Sequence, residues 1–305
     1  MIKGERMLHS LRRWLYQYET LRKNRRTLQD VRAHLEQGSD LLIVHQMGRA
    51  ASMTVTSTLR AAGVPGPVLH SHWMNPASVA HREAHLRRRG LKPSRFPLNV
   101  RMSQLLSREA AQRLERHRWR LVSVVRDPIA RNVSVFFLSI DDFLPDFHRR
   151  YAAGEISHGE IRRVFLERFP HDQPLRWFDE EVRDVFGIDV FAAPPLDESG
   201  YDVLRNEVAD LLVIKVERLA DCFRAAFRDF LGIEVPELVN THVTERDERF
   251  YMYRDFVRDV RLPREYVDRM YESRYARHFY TDAEREAFRR KWLGEPAARA
   301  VEAGA

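Results

Sequence analysis

The stretch LLIVHQMGRAASMTVTSTLRAAG, residues 41 to 63, is an apolar run ending in a short loop of small residues that opens directly into a helical pattern. A buried strand followed by such a loop delivers backbone to the carboxyl edge of a sheet. The helix that follows turns unpaired N–H groups and a partial positive charge toward that edge, where an anion is stabilised without a metal. Gly48, Arg49, Ala50, Ala51, Ser52, Met53 and Thr54 are therefore the candidate anion-binding residues, with Arg49 adding a fixed charge and Ser52 and Thr54 hydroxyl donors. The nucleotide-triphosphatase pattern GxxxxGK[ST] would require Gly at 53 and Lys at 54, where the chain has Met53 and Thr54. An ordinary ATPase is disfavoured on that ground.

A second stretch repeats the grammar. RLVSVVRDPIARNVSVFF, residues 120 to 137, is a β-rich run followed by a helix start, with Asp127 placed as an N-cap and Pro128 in the first turn. Arg126 falls at the strand's carboxyl end, the edge where open α/β sheets bind ligands. Ser134 lies eight positions later, so the two converge on one phosphate only if the strand-to-helix turn folds back. Arg131 is a further candidate.

Two phosphate loops of this kind, in this order, resemble the sulfotransferases that use 3′-phosphoadenosine 5′-phosphosulfate. The resemblance implies a P-loop-like fold in which the first loop holds the 5′-phosphosulfate and an Arg with a Ser eight residues on, here Arg126 and Ser134, holds the 3′-phosphate. Further on, RWFDEEVRDVFGIDVF (176 to 191), LLVIKVERLADCFRAAFRDFLGIE (211 to 234) and YESRYARHFY (271 to 280) resemble a bacterial subgroup named for capsular polysaccharide synthesis. The similarity runs over about residues 40 to 293. Two departures stand out: Arg49 occupies the place of the family's catalytic Lys, and Ala51 that of a Gly. Arg keeps the charge but, with a pKa above about 12, cannot donate a proton to a leaving phosphate. Ala tolerates positive φ poorly, so the loop either avoids it or carries strain.

With 305 residues the chain can bury a large core. Its lone Cys222 excludes an intramolecular disulfide and reads as a packed small side chain. No run of 18 or more apolar residues appears, and the N-terminus lacks the apolar core of a secretory signal, so a cytoplasmic location is the default expectation. A net charge of +7 suits anionic partners. Nucleic acid is disfavoured because the basic residues alternate with acids, as in HREAHLRRRG and TDAEREAFRRKW, and no recognised nucleic-acid module is present.

The expected fold class is α/β, a parallel sheet flanked by helices, with an N-terminal helix and a helical insertion. Strand candidates are 41–46, 67–73, 120–126 and 210–216, separated by helical patterns near 52–62, 76–89, 103–118, 128–139 and 221–231. Residues 1–38 read as an N-terminal amphipathic segment, 39–294 as the α/β domain with a helical insertion at about 141–195, and 295–305 as a tail. Leu8, Leu11, Leu15, Leu21, Leu28, Val31 and Leu35 stripe one long helix over 5–37. Its basic cluster RKNRR (22 to 26) offers either a peripheral membrane contact at the inner face or a solvated surface on a helix packed against the domain or a second subunit. Oligomeric state is not legible.

Sulfuryl transfer needs an acceptor oxygen relieved of its proton and positive charge where the leaving phosphate gains negative charge. In VLHSHWMNP (68 to 76), His70 and His72 end the second strand at the edge of both loops, and alternation puts them on one face. His72 is the expected base, with His70, Glu245 and His278 in reserve. Arg274 and Arg277 in SRYARHFY are expected to contact the donor, or else to be solvated on a helix end, and Trp177 with Phe178 to face the core or form an acceptor platform. His81 and His85 have the spacing of two ligands but no third, and the chemistry needs no metal. The expected activity is transfer of the sulfuryl group from the phosphosulfate co-substrate to a hydroxyl, the saccharide or glycolipid acceptor coming from the resemblance. The alternatives are a non-catalytic nucleotide- or glycan-binding protein of the same fold, or a nucleotide-dependent kinase.

Overall fold

The computed structural model describes residues 22–238 and 248–296, together with Glu19. Strands β1 (Leu41–His45), β2 (Val68–Ser71), β3 (Trp119–Val125), β4 (Tyr201–Arg205) and β5 (Ala209–Lys215) form one five-stranded sheet ordered β2-β1-β3-β5-β4. All pairs are parallel except β4 with β5. The helices of the first half are α1 (22–36), α2 (Ser52–Ala61), α3 (Pro76–Arg88), α4 (Leu98–Arg113) and α5 (Pro128–Leu138). Those of the second half are α6 (Phe147–Ala152), α7 (His158–Arg168), α8 (Gln173–Phe178), α9 (Asp184–Phe186), α10 (Leu219–Leu231), α11 (Glu248–Asp259), α12 (Arg264–Tyr271), α13 (Arg274–Phe279) and α14 (Asp282–Leu293).

The central strands are buried on both faces, as their near-continuous apolar runs require. Period-2 alternation divides their side chains cleanly: Leu41, Ile43, Leu121, Leu211 and Val213 enter a core with α1, α4 and the segment around Trp177. Leu42, Val44, Val122, Val124, Leu212 and Ile214 enter the opposite core with α2 and α10. A third core joins α5 to the helical insertion and to α11, α12 and Trp292 of α14. Leu28, Val31 and Leu35 are buried in the first of these cores, so this part of the N-terminal helix packs on the sheet, while Arg22, Lys23, Arg25 and Arg26 stay exposed. Leu8, Leu11, Leu15, Leu21 and most of the 295–305 tail lie outside the described residues. Among the described residues no helix is long and apolar enough to cross a membrane.

Two sequence expectations are corrected. The helix expected at 103–118 runs from Leu98 to Arg113, because Pro97 ends the preceding extended turn and His117 is already extended on its way into β3. The edge strand β4 was not expected at all. It pairs with β5 across a tight turn in which Asn206 Oδ1 accepts the N–H groups of Val208 and Ala209 at 3.0 and 2.8 Å. Because β1, β2, β3 and β5 are parallel, their carboxyl ends share one edge. That edge receives the loop 46–51, His72, Arg126 and Glu217.

Candidate functional site

The loop after β1 is strained and braced. Arg49 has φ 72° and Ala51 φ 58°, left-handed conformations that cost a non-glycine residue on the order of 1–2 kcal/mol each. Of the two outcomes open for Ala51, avoiding positive φ or carrying strain, the loop takes the second, and Arg49 adds to it. Gln46, fully buried, holds the shape: its Nε2 donates to Ala50 O at 2.6 Å, and its Oε1 accepts from Val124 N of β3 at 3.1 Å. Ala51 is the N-cap of α2 and has no side-chain oxygen to offer, whereas Asn75 caps α3 and Asp127 caps α5. The first amide groups of α2, at Ser52, Met53 and Thr54, thus lack a side-chain cap at the edge where the loop ends. Met53 is exposed, while Ser52 is buried.

The second loop meets the first through Arg49. Arg49 Nε donates to Ser134 Oγ at 2.8 Å, and Arg126 Nη1 donates to Arg49 O at 2.8 Å. The turn after β3 does fold back far enough for Arg126 and Ser134 to share a neighbour. It is held by Asp127, whose carboxylate accepts from Ile129 N, from Tyr271 Oη at 2.8 Å and from Trp292 Nε1 at 3.0 Å. Beneath both loops lies Arg131, only 2 % exposed. Its Nε donates to Gly48 O at 3.3 Å, and its two Nη groups donate to the amide oxygens of Asn132 and Gln173. Among the described residues no carboxylate pairs with it. Burial pulls its pKa down to about 10, which still leaves it charged at neutral pH. A buried guanidinium satisfied only by neutral oxygens is costly unless an anion comes near.

His72 stands just past β2 and donates from Nδ1 to Gln46 O at 2.7 Å, the same Gln46 that braces the loop. Because a carbonyl can only accept, this fixes the tautomer and leaves the lone pair on Nε2. Burial holds its pKa below the usual 6.5. Its ring meets that of His70 edge-on at 4.5 Å, as alternation predicts. The segment bearing His72 is clamped from α8 and the π-turn Asp179–Arg183 that follows it. Trp177 Nε1 donates to His72 O at 3.4 Å, Glu181 accepts the amides of Met74 and Asn75, and Asn75 Nδ2 donates to Glu180 O at 2.9 Å. Neither Gln46 nor Glu181 was legible as a site residue, since each acts through partners far along the chain.

Three histidines, one buried and two partly buried, give a first prediction. Burial lowers His45 to about 4 and His70 to about 3, and lowers His72 as well. The unfolded chain takes up these protons near pH 6.5, whereas the fold does so only well below it. Stability is therefore full above about pH 7 and is lost as pH falls through 6.5 toward 4. Urea midpoints measured from pH 8 to 4.5 should decline over that range, and His45→Gln should flatten the decline; a midpoint constant down to pH 5 would contradict the neutral assignment.

The remaining candidates fall elsewhere. Arg274 pairs with Asp179 and lies 4.1 Å from the centroid of the Phe191 ring, and Arg277 pairs with Glu272. The carboxyl-terminal helices reach the second loop through Tyr275 instead, whose Oη donates to Arg126 O at 2.9 Å. It accepts Arg126 N at 3.2 Å. The reason is the helical phase of α13, which turns Tyr275 inward and its two flanking arginines out. Trp177 and Phe178 are each 2 % exposed and face the core, not an acceptor. His278 packs against Phe191 and Phe279, and Glu245 lies outside the described residues. His81 and His85 join no group of three metal-ligating side chains among the described residues. Cys222 Sγ donates to O of Arg218, the N-cap of α10, and burial raises its pKa, as befits a packed thiol.

Comparison with known proteins adds one partial match. A family described as "Putative capsular polysaccharide synthesis protein" matches residues 164–281. That span holds the π-turn clamp, β4, β5 and Tyr275, and leaves out the loop 46–51 and α5. No curated protein and no solved structure matches the chain.

Proposed function

We propose that the protein is a sulfotransferase with a P-loop-like fold, moving the sulfuryl group of 3′-phosphoadenosine 5′-phosphosulfate to a hydroxyl of a saccharide. The observation that carries this reading is the meeting of Arg49, Arg126, Arg131 and Ser134 at the uncapped start of α2, with Arg131 buried and, among the described residues, opposed by no carboxylate. Two anionic groups suit two loops: the loop 48–54 would receive the phosphosulfate, and Arg126 with Ser134 the 3′-phosphate. The saccharide is supported by the partial likeness to a capsular polysaccharide family.

In the reaction an acceptor oxygen bonds to sulfur as the sulfur–oxygen bond to phosphate breaks, and adenosine 3′,5′-bisphosphate leaves. His72 takes the acceptor proton on Nε2, its Nδ1–H being held by Gln46 O. Arg49 meets the charge that grows on the departing oxygen, and Arg131 sustains a positive field under the loop. No step needs a metal.

The test is nucleotide binding by calorimetry. A charge-assisted hydrogen bond contributes on the order of 1.5–3 kcal/mol, so Arg126→Ala should weaken adenosine 3′,5′-bisphosphate tenfold or more, with a smaller loss for Ser134→Ala. Adenosine 5′-phosphosulfate lacks the 3′-phosphate and should be weakened less. Equal losses for both ligands would remove Arg126 from the 3′-phosphate, and failure of the wild type to bind either would end the donor reading.

A further inference from the structure

A cleft of about 360 Å³ lies on the β2 side of the sheet between α1, α3 and α4, apart from the two loops. It is formed by matching helical stripes. α3 lines it at Pro76, Val79, Ala80 and Glu83, and α4 at Arg101, Gln104, Leu105 and Arg108, each set spaced i, i+3, i+4, i+7 along one face. α1 closes the third side with Leu28 and Arg32.

Most of the described arginines are paired or hydrogen-bonded, often to an acid four residues away or on a neighbouring helix. Among the described residues, Arg32, Arg101 and Arg108 have neither an ion pair nor a hydrogen bond, as is also true of Arg22, Arg25, Arg26, Arg82, Arg88 and Arg95, and these three come together in one cleft. Between them Gln104 Nε2 donates to Glu83 Oε1 at 2.7 Å, and Leu28 and Val79 are buried beneath. Three unpaired cations call for anionic groups, whereas Glu83 would repel a continuous polyanion and can accept hydrogen bonds from hydroxyls. A ligand with both features is an acidic saccharide.

We infer that this cleft is the binding site for the acceptor, a saccharide chain bearing carboxylates. Arg101 and Arg108 are two turns apart on α4, about 10.5 Å along its axis, and so can engage separate acidic rings of one chain. Pro76, the first residue of α3 and part of the cleft lining, follows His72 by four residues, so α3 connects the binding stripe to the edge that carries the base. The choice of saccharide as the ligand rests on the proposed transferase reading; the cleft and its cations do not.

The probe is the tetrasaccharide of alternating glucuronate and N-acetylglucosamine, titrated into the full chain at low ionic strength. The neutral N-acetylglucosamine tetramer and phosphatidylglycerol vesicles serve as comparisons. The acidic tetrasaccharide should bind at least about tenfold more tightly than the neutral one, and Arg101→Gln with Arg108→Gln should remove about tenfold or more of its affinity. Arg163→Gln, an exposed change on α7, should leave it unaltered, and thermal melts would establish that each variant is folded. No binding of the tetrasaccharide, equal binding of the neutral tetramer, or indifference to the double substitution overturns the proposal. Vesicle binding that is lost in the double variant, without tetrasaccharide binding, assigns the cleft to lipid headgroups and also overturns it. Adenosine 3′,5′-bisphosphate titrated into the same proteins keeps the two readings apart: the double variant should bind it as the wild type does, and a wild type that binds tetrasaccharide but not nucleotide would reject the donor reading alone.

Discussion

His72→Ala is expected to lower turnover with the phosphosulfate donor by about 10²–10⁴ while donor affinity stays within a few-fold, because proton removal matters in the transition state and not in donor binding. The structure sharpens this expectation. Nδ1 is committed to Gln46 O at 2.7 Å, so Nε2 is the acceptor, and burial keeps the ring neutral below the ordinary histidine range. A base with a lowered pKa stays competent as the medium becomes more acidic. The acid limb of kcat/KM should therefore lie below pH 6.5, activity falling only as pH drops through the lowered value. Gln46→Leu offers a companion measurement, since it removes the brace from Ala50 and Val124 but leaves the backbone carbonyl that His72 engages. It should damage donor binding and stability before it alters the pH limb. A His72→Ala variant with more than half of wild-type turnover would move the base to His70 or His278, or to Glu245.

What could be read in the chain was what is local. An apolar run, a small-residue loop and a helix start identify β1 and α2 within a single stretch, and Asp127 before Pro128 identifies the cap of α5 from two adjacent residues. The residues that complete the site act across long separations. Gln46 braces its loop through an amide 78 positions away, and Glu181 orders the His72 segment from more than a hundred positions away. Neither polar side chain differs, as a letter in the sequence, from an exposed one. Arg131 shows the same limit: spacing along α5 did not indicate that this arginine would be buried beneath Gly48 with no acid paired to it among the described residues. For α13 the pattern SRYARHFY pointed to Arg274 and Arg277, and only the packing against Arg126 shows that Tyr275 is the residue that reaches the second loop. β4 escaped notice because YDVLR is a short, half-buried edge strand whose partner follows it through the Asn206 turn.

Arg49→Ala should depress turnover by about 10²–10³ and donor affinity by much less, since charge on the bridging oxygen grows as the sulfur–oxygen bond breaks. The backbone supplies an internal control that sequence alone did not provide. Arg49 sits at φ 72°, a conformation that glycine adopts without cost and alanine does not. Arg49→Gly therefore removes the charge while relaxing the loop, and Arg49→Ala removes it while keeping the strain. If the charge is what matters, both variants lose turnover alike, although the glycine variant melts at the higher temperature. If instead the strained loop geometry matters, the two separate in turnover. Arg49→Lys divides the chemistry further: lysine restores a compact donor that can hydrogen-bond the leaving oxygen, but it cannot reproduce the planar Nε–H contact to Ser134 Oγ at 2.8 Å. Turnover at or above wild type in Arg49→Lys would show that the arginine is a working substitute for the lysine of the sulfotransferases this loop resembles. Unchanged sulfate transfer in Arg49→Ala would remove the phosphosulfate from this loop and with it the proposed mechanism. If the nucleotide binds but neither wild type nor Arg49→Lys turns over with any acceptor, the same geometry describes a binding protein that holds the donor without using it.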